Sequence, residues 1–104
     1  MHISNSKLGY LNLRGADLTD VLFTNCIIDE LDLGNARAVR VGFVASSVAT
    51  LDATQATFAN VDLRGLEFQS IAGLDHLRGT TMSTLQASEL ALLFAERIGI
   101  TVQD

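Results

Sequence analysis

The sequence predicts a four-sided β-solenoid, with five residues on each side, that ends in a C-terminal helix. Two observations predict the solenoid. A large apolar residue recurs at every fifth position, and residues twenty positions apart are often of the same type. A third observation, a helix-capping sequence followed by an apolar stripe, places the helix after residue 83. The two repeats also assign each residue to the inside or the outside of the coil.

The five-residue period starts at Leu8 and continues for thirteen steps, with only Ala38 and Ala53 as weak members. A period of five fits neither an α-helix, which has 3.6 residues per turn, nor a simple strand, which alternates every two residues. The series is Leu8, Leu13, Leu18, Phe23, Ile28, Leu33, Ala38, Phe43, Val48, Ala53, Phe58, Leu63 and Phe68.

Steps of twenty group residues of one type into columns. The columns are Leu11, Leu31 and Leu51; Ala16, Ala36 and Ala56; Val21, Val41 and Val61; and the small residues Ser6, Cys26 and Ser46. Such columns are expected when residues twenty apart stack at the spacing of paired strands, about 4.8 Å. The central residue of each side, and the residue two before it, are then expected to point inward.

Several five-residue units resemble those of the pentapeptide-repeat family. Its pattern is a small apolar residue, Asp or Asn, Leu or Phe, and two variable positions. The units are Leu11–Gly15, Ala16–Asp20, Ala56–Asn60 and Val61–Gly65. The resemblance covers roughly residues 6–70 and implies a right-handed quadrilateral β-helix. Thirteen units make about three and a quarter turns. We expect positive φ at Gly15 and Gly65, which close repeats at corners.

The five-residue register fails after Ser70, which divides the chain. We expect a solenoid over residues 1–82, with regular units over about 6–70 and an irregular exit over 71–82. Residues 1–5 are expected to be too short to cover a turn, and His2 to be frayed. A capping helix and a short extended tail are expected over 83–104.

The helix is predicted from its capping box and its apolar stripe. Ser83 is a favourable N-cap and Gln86 follows three residues later. The stripe contains Ala87, Leu90, Ala91, Phe94 and Ile98, and Leu93 widens it. It is expected to cover the solenoid end, which would otherwise expose core side chains and unpaired backbone. This arrangement is similar to that of bacterial pentapeptide-repeat proteins that dimerise through their C-terminal ends. Leu90, Leu93, Phe94 and Ile98 are therefore candidate contacts of either a cap alone or a cap that also forms a homodimer.

Composition and motifs argue against an enzyme. The single cysteine, Cys26, excludes an intramolecular disulfide and falls in a small, inward column. Asp75 and His76 are neighbours in an irregular stretch and lack the geometry expected of an acid–base pair. No glycine loop for phosphate is present. We therefore expect no catalytic residues, no metal site and no cofactor.

Charge and hydropathy limit the partners. The net charge is −5, which argues against direct nucleic-acid binding and leaves room for a basic partner. The longest uncharged stretch, Val41–Leu51, is too short to span a bilayer, so no membrane partner is expected. No secretion signal is visible at the N-terminus, and a cytoplasmic location is expected.

The outward charges and apolar residues supply the candidate contacts with a protein partner. Stacking by twenty pairs Asp17 with Arg37 and Asp20 with Arg40, which predicts a neutralising ladder on one side. The candidate acidic contacts are Asp29, Glu30, Asp32 and Asp52, and the candidate apolar contacts are Leu22 and Ile27. Asp32 and Asp52 are expected to stack as like charges, which destabilises the fold unless hydrogen bonds or a partner compensate.

The expected function is that of a non-catalytic interaction or structural module, because a repeat rod without a pocket offers no site chemistry. An alternative comes from the resemblance alone. Acidic members of the family mimic DNA and occupy the DNA-binding surface of gyrase, which makes a topoisomerase a candidate partner. Mimicry by charge is expected to weaken steeply as salt rises.

Overall fold

The computed structural model describes all 104 residues, which form a right-handed β-solenoid of about four turns followed by one helix. A single turn of 3-10 helix, Leu74–His76, precedes the last strand, and helix α1 spans Thr84–Arg97. The strands are β1 (His2–Ser4), β2 (Lys7–Asn12), β3 (Asp17–Thr24), β4 (Ile27–Asp32), β5 (Arg37–Val44), β6 (Ser46–Asp52), β7 (Thr57–Asp62), β8 (Leu66–Ala72) and β9 (Thr80–Thr81).

The strands form two parallel sheets, which wrap around a common core. One sheet has the order β1-β3-β5-β7-β9 and the other has the order β2-β4-β6-β8. Phe23 pairs with Phe43, and Leu31 pairs with Leu51, so partners lie twenty positions apart. This register confirms the twenty-residue repeat predicted from the sequence.

The core of the coil consists of the residues at the two inward positions of each side. Phe23 and Phe43 are 1% and 4% exposed, and their rings stack with centroids 4.8 Å apart. Leu31 and Leu51 stack in a neighbouring column and are also buried. We call the cluster of 18 buried residues around these side chains the coil core. It confirms the predicted inward positions.

Gly15 and Gly65 are required for different structural reasons. Gly15 has a φ of 73°, as expected for a corner that favours glycine. The prediction for Gly65 is wrong, because this residue does not adopt a positive φ. A Cβ at position 65 would instead collide with the carbonyl oxygen of Phe43 in the turn below. Close backbone approach is therefore the reason for a glycine at this position.

The solenoid has more turns than the thirteen regular units predict, because both irregular ends take part in it. Strand β1 pairs with β3, so residues 2–4 extend the solenoid before the regular units begin. His2 is held by its Nε2 atom, 2.9 Å from the Thr24 hydroxyl, and is not frayed. At the other end Val61 pairs with Thr80, nineteen positions later, so the last turn closes with one residue fewer.

Candidate functional site

Helix α1 starts at a capping box that also connects it to the coil. The Ser83 hydroxyl accepts a hydrogen bond from the Gln86 backbone N–H at 3.1 Å, and the Gln86 side-chain oxygen accepts one from the Ser83 N–H at 2.8 Å. These bonds confirm the predicted box. In addition, Gln86 Nε2 donates to the carbonyl oxygens of Leu63 and Leu66 at 2.6 and 2.8 Å. This second role was missed in the sequence, where only the cap position identified Gln86.

The rest of α1 is only partly covered. Leu90 and Leu93 are half-buried, and Arg97 lies 3.5 Å from the Asp75 carboxylate. Together with Gln86 these residues recur at helical spacing and define the inward face. None of the α1 side chains belongs to the coil core or to the apolar residues packed against it.

Most of the predicted apolar stripe faces solvent. Phe94 is 42% exposed and Ile98 is 56% exposed, and Ala87 and Ala91 are exposed as well. We call these four residues the exposed stripe. The expectation that the whole stripe covers the solenoid end is wrong, because only Leu90 and Leu93 of the predicted stripe are half-buried.

The expected charge ladder forms at one of its two steps. Arg40 donates to the Asp20 carboxylate at 2.6 and 3.1 Å. These hydrogen bonds lower the pKa of Asp20 below its usual value. Asp17 and Arg37 are paired in register but form no ion pair, so the predicted second step is wrong.

Asp32 and Asp52 are linked by a cation from a lower turn. Arg14 reaches both carboxylates, with Nε 3.0 Å from Asp32 and a terminal nitrogen 3.3 Å from Asp52. The Tyr10 hydroxyl donates to Asp32 at 3.0 Å. The Gly34 N–H also donates to Asp32, at 2.8 Å. The like-charge stack that the sequence predicts is therefore compensated within the chain.

The same contacts remove Asp32 from the outer surface. Burial raises the pKa of Asp32, but hydrogen bonds from the Gly34 N–H, Arg14 and Tyr10 lower it by more, so its pKa lies below the usual value. The residue is 7% exposed. The structure thus contradicts the expectation that Asp32 is an exposed partner contact, and it leaves Asp52 beside a neutralising arginine.

Three further carboxylates lie on another side of the coil, made of residues 26–30, 46–50 and 66–70. Asp29, Glu30 and Glu67 are exposed there and form no ion pair. Above them lies Glu89 of α1, which is also exposed and unpaired. These four carboxylates, and not Asp32 and Asp52, form the acidic region of the molecule.

A groove of about 540 Å³ lies between this side of the coil and the start of α1. The residues that matter for its chemistry are Ile27, Asp29, Ala49, Glu67, Leu85 and Glu89. Ile27 is therefore a groove residue, whereas Leu22 points at Gly42 of the next turn and does not line the groove. The structure separates these two predicted apolar contacts.

The other reactive side chains do not lie together in a candidate site. Cys26 is fully buried, with its Sγ 3.4 Å from the Ile3 carbonyl oxygen. His76 lies 3.8 Å from Asp75, which also faces Arg97. No group of three or more His, Cys, Asp or Glu side chains is arranged to hold a metal ion. No helix combines the length and the apolar character that a bilayer crossing requires.

A parallel coil with four five-residue sides per turn defines a class of β-solenoid, and the comparison of sequences agrees with it. A family model for pentapeptide repeats matches residues 3–37 with eight copies. The structure continues the same twenty-residue register to Ala72. Over residues 3–37 the chain is therefore similar to the pentapeptide-repeat family. No curated protein matches the sequence.

Proposed function

We propose that this chain is a non-catalytic protein-interaction module that pairs with a second copy through α1. The observation that carries the proposal is the exposed stripe of Ala87, Ala91, Phe94 and Ile98, which lies beside the end of the solenoid. Large apolar side chains clustered on one face of a soluble protein mark contact surfaces.

The segment after α1 extends this surface. Ile100 and Val102 follow the helix and are 53% and 59% exposed. A two-fold dimer brings identical patches together, so Phe94 and Ile98 of one copy would cover the same residues of the other. Pairing would also shield the half-covered solenoid end, which is a hazard for unspecific association when it is open.

Light scattering after gel filtration, over a range of protein concentrations, tests the pairing. We expect the wild-type chain to be dimeric at high concentration, and Ile98→Lys to be monomeric, since a cation in an apolar interface is left without a partner. Leu92→Lys is the matched control, because Leu92 is 54% exposed on a different face of the same helix. A wild-type monomer at high concentration, or equal loss of the dimer in both variants, would contradict the proposal.

A second candidate function is modulation of DNA gyrase by an acidic surface that imitates DNA. Its support is the group of exposed carboxylates without ion pairs, Asp29, Glu30, Glu67 and Glu89. Basic DNA-binding surfaces attract such groups at long range. The Asp32–Arg14 and Asp20–Arg40 pairs argue against an extended acidic row.

Gyrase supercoiling across a salt series distinguishes this candidate. Mimicry predicts inhibition that fades as salt rises and that is lost in Asp29→Lys/Glu30→Lys. Asp17→Lys is the control, because Asp17 is exposed on another side and makes no ion pair. An absence of any effect at a large excess of protein would remove gyrase as a partner and leave the pairing proposal unaffected.

A further inference from the structure

The groove beside α1 exists because small residues occupy the middle of its floor. Ile27, Ser47 and Glu67 stack in one outward column, twenty positions apart. The parallel column contains Asp29, Ala49 and Gln69. In both columns a small side chain lies between two larger ones, which leaves a hollow in an otherwise flat side.

The first turn of α1 supplies the upper wall of the groove. Leu85 and Glu89 lie one helical turn apart and both line the groove. Gln86, between them, is fixed by hydrogen bonds to the Leu63 and Leu66 carbonyls. This wall is therefore held against the coil at the helix end where it is formed.

The groove combines exposed apolar side chains with an uncompensated negative charge. Ile27 is 52% exposed and Leu85 is 69% exposed. Asp29, Glu67 and Glu89 make no ion pair.

The one basic side chain in the groove lining, Arg64, is engaged elsewhere. It donates to both oxygens of Asp62, at 3.0 and 2.9 Å. This hydrogen bonding lowers the pKa of Asp62 below its usual value. Lys7, one turn below Ile27, lies outside the groove.

We infer that this groove binds a short cationic segment of another protein, in which Lys or Arg residues flank an apolar side chain. The apolar side chain would lie in the hollow over Ser47 and Ala49, against Ile27 and Leu85. The flanking cations would face the carboxylates of Asp29, Glu67 and Glu89. Complementary charge steers and orients such a segment, and burial of its apolar side chain adds to its binding free energy. The inference holds whether or not α1 pairs with a second copy, because the exposed stripe does not line the groove.

Binding can be tested with isotope-labelled protein and the synthetic peptide Lys-Ser-Lys-Leu-Lys-Ser-Lys in an NMR titration. We expect saturable shifts at residues 27–29, 47–49, 67–69 and 85–89, with weaker binding as salt rises. Replacing the peptide leucine by serine is expected to weaken binding severalfold, and replacing its lysines by glutamates is expected to abolish it.

Protein variants complete the test. Glu67→Lys/Glu89→Lys is expected to weaken binding about tenfold or more, since two attractions become repulsions. Ile27→Ser is expected to weaken it severalfold without changing the salt dependence. Asp17→Lys changes the net charge on another side of the coil and is expected to leave binding nearly unchanged.

Three results would overturn the inference. They are an absence of saturable shifts at about 1 mM peptide, shifts spread over carboxylates on all sides of the coil, and equal binding of the leucine and serine peptides. Each of them leaves the oligomeric state untouched, so failure of this inference is distinguishable from failure of the pairing proposal.

Discussion

Similar side chains are buried in the middle of the coil but exposed on helix α1. Phe23 is 1% exposed and stacks on Phe43, whereas Phe94 of α1 is 42% exposed. In the coil each inward residue has a counterpart twenty positions before or after it, and repetition supplies its neighbours. Helix α1 has only one coil end to pack against, and there Gln86 is buried while Leu90 and Leu93 are only half-buried. Burial in this molecule therefore depends on an equivalent residue in the adjacent turn. Helix α1 has no such residue and keeps an apolar surface available for contact.

The largest expected effect comes from truncating one phenylalanine in each region. Phe23→Ala removes a buried ring from a stack and is expected to lower the free energy of unfolding by about 3–5 kcal/mol. Phe94→Ala is expected to change it by about 0.5 kcal/mol or less at dilution, because little of its contact area lies within the chain. Urea unfolding followed by circular dichroism measures both. Similar losses in the two variants would show that α1 is packed as firmly as the coil.

A smaller effect is expected from two glycines of the coil that differ in what surrounds them. Gly65→Ala places a methyl group on the Phe43 carbonyl oxygen and is expected to cost about 1–3 kcal/mol, because backbone must move. Gly9→Ala places it in open space, 4.0 Å from an Asp29 oxygen, and is expected to be nearly neutral. Thermal unfolding of the two variants compares them directly. A neutral Gly65→Ala would indicate that turns separate more easily than the structure shows.

The buried carboxylate of Asp32 predicts that the stability of the coil depends on pH. Because its pKa is lowered in the folded state, Asp32 stabilises the fold above its ordinary value of about 4, and this contribution is lost as pH falls through the lowered pKa. Asp32→Asn is expected to be about 1 kcal/mol less stable than wild type near neutral pH. The difference is expected to shrink in acid.

Urea unfolding at a series of pH values checks this expectation. Asp29→Asn serves as the control, since Asp29 is exposed and forms no ion pair. A stability difference between Asp32→Asn and wild type that is constant with pH would contradict the role assigned to Asp32.

The fold could be predicted from the sequence because the same inward positions recur in every turn of the solenoid. The two ends of the solenoid were harder to predict, because β1 and β9 lack the five-residue pattern. They belong to the solenoid because they pair with β3 and β7. The orientation of α1 was missed because Gln86, whose side chain is hydrogen-bonded to the coil, is polar and does not belong to the apolar stripe.

Among the candidate contacts, the outward positions could be predicted from the sequence. The ion pairs that neutralise some of their charges could not. Arg14 spans two turns to reach Asp32 and Asp52, and side-chain reach of that kind leaves no periodic mark. The groove had a visible sign, the small residues Ser47 and Ala49 in the middle of two outward columns. Its upper wall depends on the direction of α1, which the residue pattern alone does not determine.

Hydrogen exchange measured at low and high protein concentration is the most direct test of the difference between the two regions. It shows whether α1 needs a second copy to be protected while the coil is protected by its own packing. We expect amides of β3 to β7 to be strongly protected at both concentrations. We expect amides of α1 to exchange quickly at low concentration and to gain protection as concentration rises. Protection of α1 that is independent of concentration, and equal to that of the coil, would show that the helix needs no second copy.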